Sequence, residues 1–158
     1  MTAKPTGHVR GNDLVITRTF RASIEDVWTS VTRSESTARW FGPWEGEPGA
    51  GNTIRFQMVQ EEGKPWQSAR IDACEAPRHL ALTSVAEHGG FSLELTLTTQ
   101  GDTTELVFVH HLTDKNLAGD YGPGWEYYLD MLVAAETGQP LPKFADYYPS
   151  QKAHYLGS

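Results

Sequence analysis

The stretch Phe91–Thr98, FSLELTLT, decides the fold. Phe91, Leu93, Leu95 and Leu97 alternate with Ser92, Glu94 and Thr96. Successive side chains of a strand point to opposite faces, so a period of two predicts a strand with one dry face and one wet face. The pattern recurs to either side. In TIRFQMV (53–59), Ile54, Phe56 and Met58 oppose Arg55 and Gln57; in SARIDAC (68–74), Ala69, Ile71 and Ala73 oppose Arg70, Asp72 and Cys74. HLALTSV (79–85) is a short apolar strand, and ELVFVHH (105–111) closes the series. Turn chemistry separates them at Glu62-Gly63-Lys64-Pro65, Ala76-Pro77, Gly89-Gly90 and Gly101-Asp102. Short turns between half-dry strands predict an antiparallel meander that needs a cover on one face.

The flanks supply the cover. DLVITRTF (13–20) is a further strand, with Leu14, Ile16, Arg18 and Phe20 sharing one face. Ser23, followed by the acids Glu25 and Asp26, starts a helix whose stripe is Ile24, Val27, Trp28 and Val31. A second short helix is predicted from Glu35 to Phe41, stopping at Gly42-Pro43. After the meander, GWEYYLDMLVAAETG (124–138) reads as a long helix burying Trp125, Tyr128, Leu129 and Leu132. In that reading Glu126 and Asp130 face water and Gly138 is the stop. The tail after Gly138 has no period. The expectation is a single α+β domain over 1–158, with its core at about 8–138 and an aromatic, Pro-containing tail at 139–158. One long helix cannot fill a strongly bent sheet, so a cavity between them is expected.

Composition narrows the function. With 158 residues the chain suits one core, and a net charge of −7 argues against nucleic acid as a partner. The one cysteine, Cys74, excludes an internal disulfide, and no Cys/His cluster has zinc spacing, so neither metal nor cofactor is expected. The opening MTAKPTGHVR lacks the apolar core of a signal peptide, and no run reaches membrane-spanning length. The expectation is a soluble, cytoplasmic protein.

The element order, with RTFRASIEDVW, ARWFGP and GWEYYLDML, resembles the activator-of-heat-shock-protein-ATPase-like domain of the START and birch-pollen-allergen superfamily. The likeness covers Leu14 to Gly138. It implies the helix-grip fold: a curved antiparallel sheet of six to seven strands around a long C-terminal helix, two short helices after the first strand, and a short strand near Trp44–Glu47. Family members usually carry proline where this chain has Ile24. Relatives bind lipids, steroids and other apolar molecules, some are aromatic-ring cyclases, and one stimulates a chaperone ATPase.

The ligand-binding candidates are inward-facing residues: Trp40, Phe56, Met58, Leu93, Leu95, Phe108, His110, Trp125, Tyr128 and Leu129. For each the alternative is plain core. His110 shares parity with Leu106 and Phe108, and many family members have a histidine there. It is read either as a group orienting a ligand or as a core imidazole bonded to Tyr128 or a carbonyl; His111 faces out. Arg70, Asp72, Glu94, Arg55 and Cys74 fall on the wet face, unless a bulge turns Arg70 and Asp72 inward. The rings of RWFGPWEG (39–46) are expected to close one end of the cavity, Trp40 inward and Phe41 or Trp44 against the tail. No nucleophile elbow, phosphate loop or inward carboxylate pair is present. The pattern therefore favours a binder of a small hydrophobic molecule over an enzyme. The alternatives are a cyclase or hydrolase acting through His110, or an interaction module, with a homodimer built on Phe144, Tyr147, Tyr148 and Tyr155.

Overall fold

The computed structural model describes residues 4–59, 61, 63–84 and 91–156. The Gly89-Gly90 turn, Val85 and Glu62 lie outside them. Eight strands form one antiparallel sheet: β1 His8–Arg10, β2 Asp13–Phe20, β3 Trp44–Glu45, β4 Thr53–Gln57, β5 Trp66–Glu75, β6 His79–Ser84, β7 Ser92–Gln100 and β8 Thr103–His111. Their order is β1-β2-β8-β7-β6-β5-β4-β3, so β2 crosses to β8 and the meander runs back to the far edge. The helices are α1 Ile24–Thr32, α2 Ser34–Thr37, α3 Ala118–Thr137 and α4 Lys152–Tyr155. This is the expected helix-grip architecture, with the short strand at Trp44 present. The strand beyond the expected count is β1, too short to show a period.

Helix α1 starts as its sequence predicts: the Ser23 hydroxyl accepts from the Asp26 amide at 3.2 Å. Helix α2 is shorter than expected, because after Thr37 the chain tightens into turns that bring Gly42 onto β4. A Cβ on Gly42 would lie 1.6 Å from the Gln57 carbonyl oxygen. Only glycine allows this approach.

Helix α3 begins six residues before the expected Gly124 and carries Pro123 inside it. Two of its glycines are points of contact. A Cβ on Gly122 would meet the Tyr155 ring at 2.4 Å, and one on Gly119 would meet Leu156 at 2.9 Å. Gly138, at φ +73°, closes the helix as predicted.

The tail explains a correction. Glu126, expected on the wet side, is 1 % exposed. Helix α3 is covered on both sides, by the sheet on one and by the returning tail on the other. Arg18 of β2 reaches Glu126 at 2.9 Å and Asp130 at 3.0 Å. The Tyr155 hydroxyl donates to Glu126 at 2.5 Å, and the Thr6 hydroxyl and amide donate at 2.5 and 2.6 Å. Tyr147 donates to Asp130 at 2.7 Å. Tyr147 and Tyr155 are therefore buried within their own chain, while Phe144 stays exposed.

Candidate functional site

The buried apolar residues separate into two clusters. One joins β2, β7 and β8 to α1 and α3; the other lies on β4 and β5, around Ile54, Phe56, Ala69 and Ile71. Between them is a cavity of about 520 Å³, walled by residues of both. That volume lies within the roughly 300–1,000 Å³ usual for small-molecule sites. A core is normally packed to crystal density, so a gap of this size separates the two halves of this one.

Seven of the ten candidates line the cavity: Trp40, Phe56, Leu93, Leu95, Phe108, Trp125 and Leu129. Met58, His110 and Tyr128 do not. Met58 follows the end of β4, half-buried against the second cluster. The Tyr128 ring packs on Phe41 at 5.1 Å, and its hydroxyl turns away to donate to Glu61 at 2.5 Å. Burial first, and that acceptor second, hold its pKa above the ordinary tyrosine value.

His110 faces inward, as its parity requires, but lies behind Trp125. The Trp125 indole N–H donates to His110 Nδ1 at 3.1 Å, and the Tyr121 ring meets the imidazole edge-on at 4.7 Å. Burial chiefly, and the charge of His111 next, push its pKa down to about 4. At neutral pH it is an uncharged acceptor that fixes the Trp125 ring. Its partner is Trp125, not the Tyr128 or carbonyl expected.

Several wall residues were not among the candidates. Trp28 and Val31 come from the stripe of α1, Leu80 and Leu82 from β6, and Phe41 and Trp44 from the RWFGPWEG stretch. Phe41 contacts Trp40, Phe56, Trp125 and Tyr128, and the Trp44 indole donates to the Thr32 carbonyl at 2.7 Å. Phe41 and Trp44 thus pack in the wall and not against the tail, which correction follows from the tight seat of Gly42 on β4. The alternation of Leu80 and Leu82 carried the signal for β6.

Cys74 is a second correction. The pairing of β5 with β6 steps from Ile71–Leu82 to Ala73–Ala81, a bulge at Asp72. Past it the parity flips, and Cys74 faces the cavity opposite Leu80. Arg70 and Asp72 stay outside, joined at 2.7 Å, with Thr83 bonded to Asp72.

The convex face carries a charge ladder across adjacent strands. His111 binds Asp13 of β2 at 2.7 Å and Glu94 of β7 at 2.5 Å, and Glu94 binds His79 of β6 at 2.9 Å. Hydrogen bonds donated to Glu94 and then Asp13 raise the pKa of His111, while bonds from His111 and then His79 lower that of Glu94. A raised folded pKa gives stability that is full below the unfolded value, about 6.5 for histidine, and is lost as pH rises through the folded one. The depressed Glu94 gives stability lost as pH falls through its own folded pKa. Thermal unfolding of the wild type and His111→Gln across this range is expected to show a wild-type advantage between those limits, fading at alkaline pH. An advantage that grows with pH would contradict the ladder. Among the described residues, no group of three or more His, Cys, Asp or Glu has metal-site geometry.

A curved open sheet gripping a long helix, with an apolar hollow between them, defines a domain of the helix-grip, START-like class. The family described as Activator of Hsp90 ATPase homolog 1-like protein matches residues 21–136, and the chain belongs to it. No curated protein matches. Among solved structures the chain is similar to CalU16 from Micromonospora echinospora, 27% identical over 92% of this chain and 86% of that one, with a TM-score of 0.76. DynU16, a protein of the dynemicin biosynthetic locus, is 19% identical over 89% of this chain and 51% of its own, at 0.70. The Aha1 dimer from Colwellia psychrerythraea is 18% identical over 81% and 98%, at 0.65. The last two likenesses speak to the fold alone. No helix among the described residues is long and apolar enough to cross a membrane.

Proposed function

We propose that the chain binds a small hydrophobic molecule, aromatic or lipid-like, in the cavity between the sheet and α3. The observation that carries this is the 520 Å³ hollow, walled almost wholly by carbon from both halves of the core. Roughly 150 Å³ of apolar void is enough to admit benzene, so a guest of two or three rings has room here. Trp40, Phe56, Leu93, Leu95, Phe108, Trp125 and Leu129 are its contacts, and burial of apolar area is its main source of affinity. The dynemicin biosynthetic locus, which holds DynU16, is one setting in which this fold occurs.

His110 serves by holding Trp125 and does not itself meet the guest. Four tryptophans of the wall, Trp28, Trp40, Trp44 and Trp125, make intrinsic fluorescence a direct reporter. Titration with naphthalene or fluorene is expected to change that emission saturably. Leu82→Trp, which fills the hollow from β6, is expected to weaken binding at least tenfold while the far-UV circular dichroism stays unchanged. Undiminished binding by a folded Leu82→Trp variant would place the guest elsewhere.

A further inference from the structure

Of the four tryptophans in the cavity wall, three have their indole N–H bonded within the protein. Trp40 donates to the Ser30 carbonyl at 2.9 Å, Trp44 to the Thr32 carbonyl at 2.7 Å and Trp125 to His110 at 3.1 Å. An indole has one N–H, which donates and never accepts, and a buried one usually finds a partner. Trp28 departs from this. It is half-buried in the stripe of α1, packed against the larger apolar cluster, and among the described residues nothing accepts from its indole N–H. Its main-chain carbonyl is paired in the ordinary way, with the Thr32 hydroxyl. The other side-chain donors of the wall have less to offer. The Thr32, Ser34 and Thr37 hydroxyls donate to backbone carbonyls. The Arg33 guanidinium is largely in water and pairs with Glu35. The Cys74 thiol faces the hollow from β5, and a thiol is a weak donor.

We infer that Trp28 is the specificity-determining residue of the site: its indole N–H takes a hydrogen-bond acceptor, a carbonyl or ether oxygen, on the edge of an otherwise apolar guest. The inference rests on the binding reading above and adds the polar group that the guest carries. Walls of carbon hold apolar molecules of one size about equally, because burial of apolar area has no direction. One N–H has a direction. An acceptor that meets it regains the bond given up on leaving water, whereas a guest with carbon at that edge leaves the N–H unmatched. The guest is thereby fixed with its oxygen toward α1 and its rings toward Leu93, Phe108 and Trp125.

Fluorene and 9-fluorenone share one ring frame and differ in a methylene against a carbonyl, so the pair isolates the acceptor. Both are titrated by fluorescence into the wild type and into Trp28→Phe, which keeps an aromatic ring and loses the N–H. The wild type is expected to bind 9-fluorenone at least as tightly as fluorene. In Trp28→Phe the affinity for 9-fluorenone relative to fluorene is expected to fall on the order of fivefold, while the lost ring contact weakens both alike. A second readout needs no variant to fold: the Trp28 indole proton of the wild type, assigned through nuclear Overhauser effects, is expected to move downfield with 9-fluorenone and not with fluorene. A relative affinity unchanged in folded Trp28→Phe, or an indole proton that does not move downfield, overturns the role of Trp28 while binding stands. If neither probe binds the wild type, the binding reading falls and this inference with it.

Discussion

Glu126→Ala is expected to lower the unfolding free energy by roughly 3–5 kcal/mol, the usual cost of removing one partner from a buried ion pair. The mutation leaves Arg18, whose side chain is 10 % exposed, facing an emptied site, strands the Tyr155 O–H and the Thr6 amide, and takes from the Gly7 amide one of its two acceptors. Asp130 still neutralises part of the Arg18 charge, so the loss stays finite. Burial opposes ionisation of Glu126. The hydrogen bonds from Thr6, Tyr155 and Arg18 outweigh it, and the pKa falls below the usual carboxylate value. A depressed folded pKa gives stability that is present above the unfolded value and lost as pH falls through the folded one. The gap between wild type and Glu126→Ala in urea unfolding should therefore narrow under acid conditions. A cost below about 1 kcal/mol at neutral pH, the level of a surface pair, would mean that the keystone is not Glu126.

Gly42→Ala is the second large effect. The added methyl has no room: it would sit 1.6 Å from the Gln57 carbonyl oxygen and 2.8 Å from that residue's carbonyl carbon, both backbone atoms of β4. Backbone cannot swing aside as a side chain does, so the turn must lift. With it go the Gln57 amide bond to the Pro43 carbonyl, the Trp44 strand pairing and the Phe41 ring that bridges the two halves of the core. A loss of about 3 kcal/mol is expected, together with weakened probe binding, because Phe41 and Trp44 are wall residues. Urea unfolding and fluorene titration of the same variant measure both. Wild-type stability in Gly42→Ala would contradict the tight seat of the turn.

Much of this was legible in the sequence because it rests on period. Alternation in FSLELTLT and its neighbours carried the sheet, and the inward parity of Phe56, Leu93, Leu95 and Phe108 placed these four in the wall found between sheet and helix. What escaped depends on contacts between residues far apart. Cys74 faces the cavity, against its sequence parity, because one bulge reverses parity downstream and leaves no mark in composition. Glu126 looked wet because helical position alone does not reveal a second covering layer. The hint was Arg18 on the dry face of β2, a cation that needs an acid from the helix above. The tail carried no period because its structure is a set of single contacts, a tyrosine over Gly122 and another on Asp130. His110 was read with the right direction and the wrong neighbour: parity says inward, but only the fold says that Trp125 stands between it and the hollow.

Binding of a hydrophobic guest depends on an empty, oily space between the two apolar clusters. Pressurising a crystal with xenon tests it most directly, since dry apolar voids take up xenon and packed or water-filled ones do not. The expected result is a xenon peak within the space bounded by Leu82, Leu93, Phe108 and Trp125. A crystal that takes up no xenon there, with those side chains in contact or with ordered water between them, would contradict the binding site.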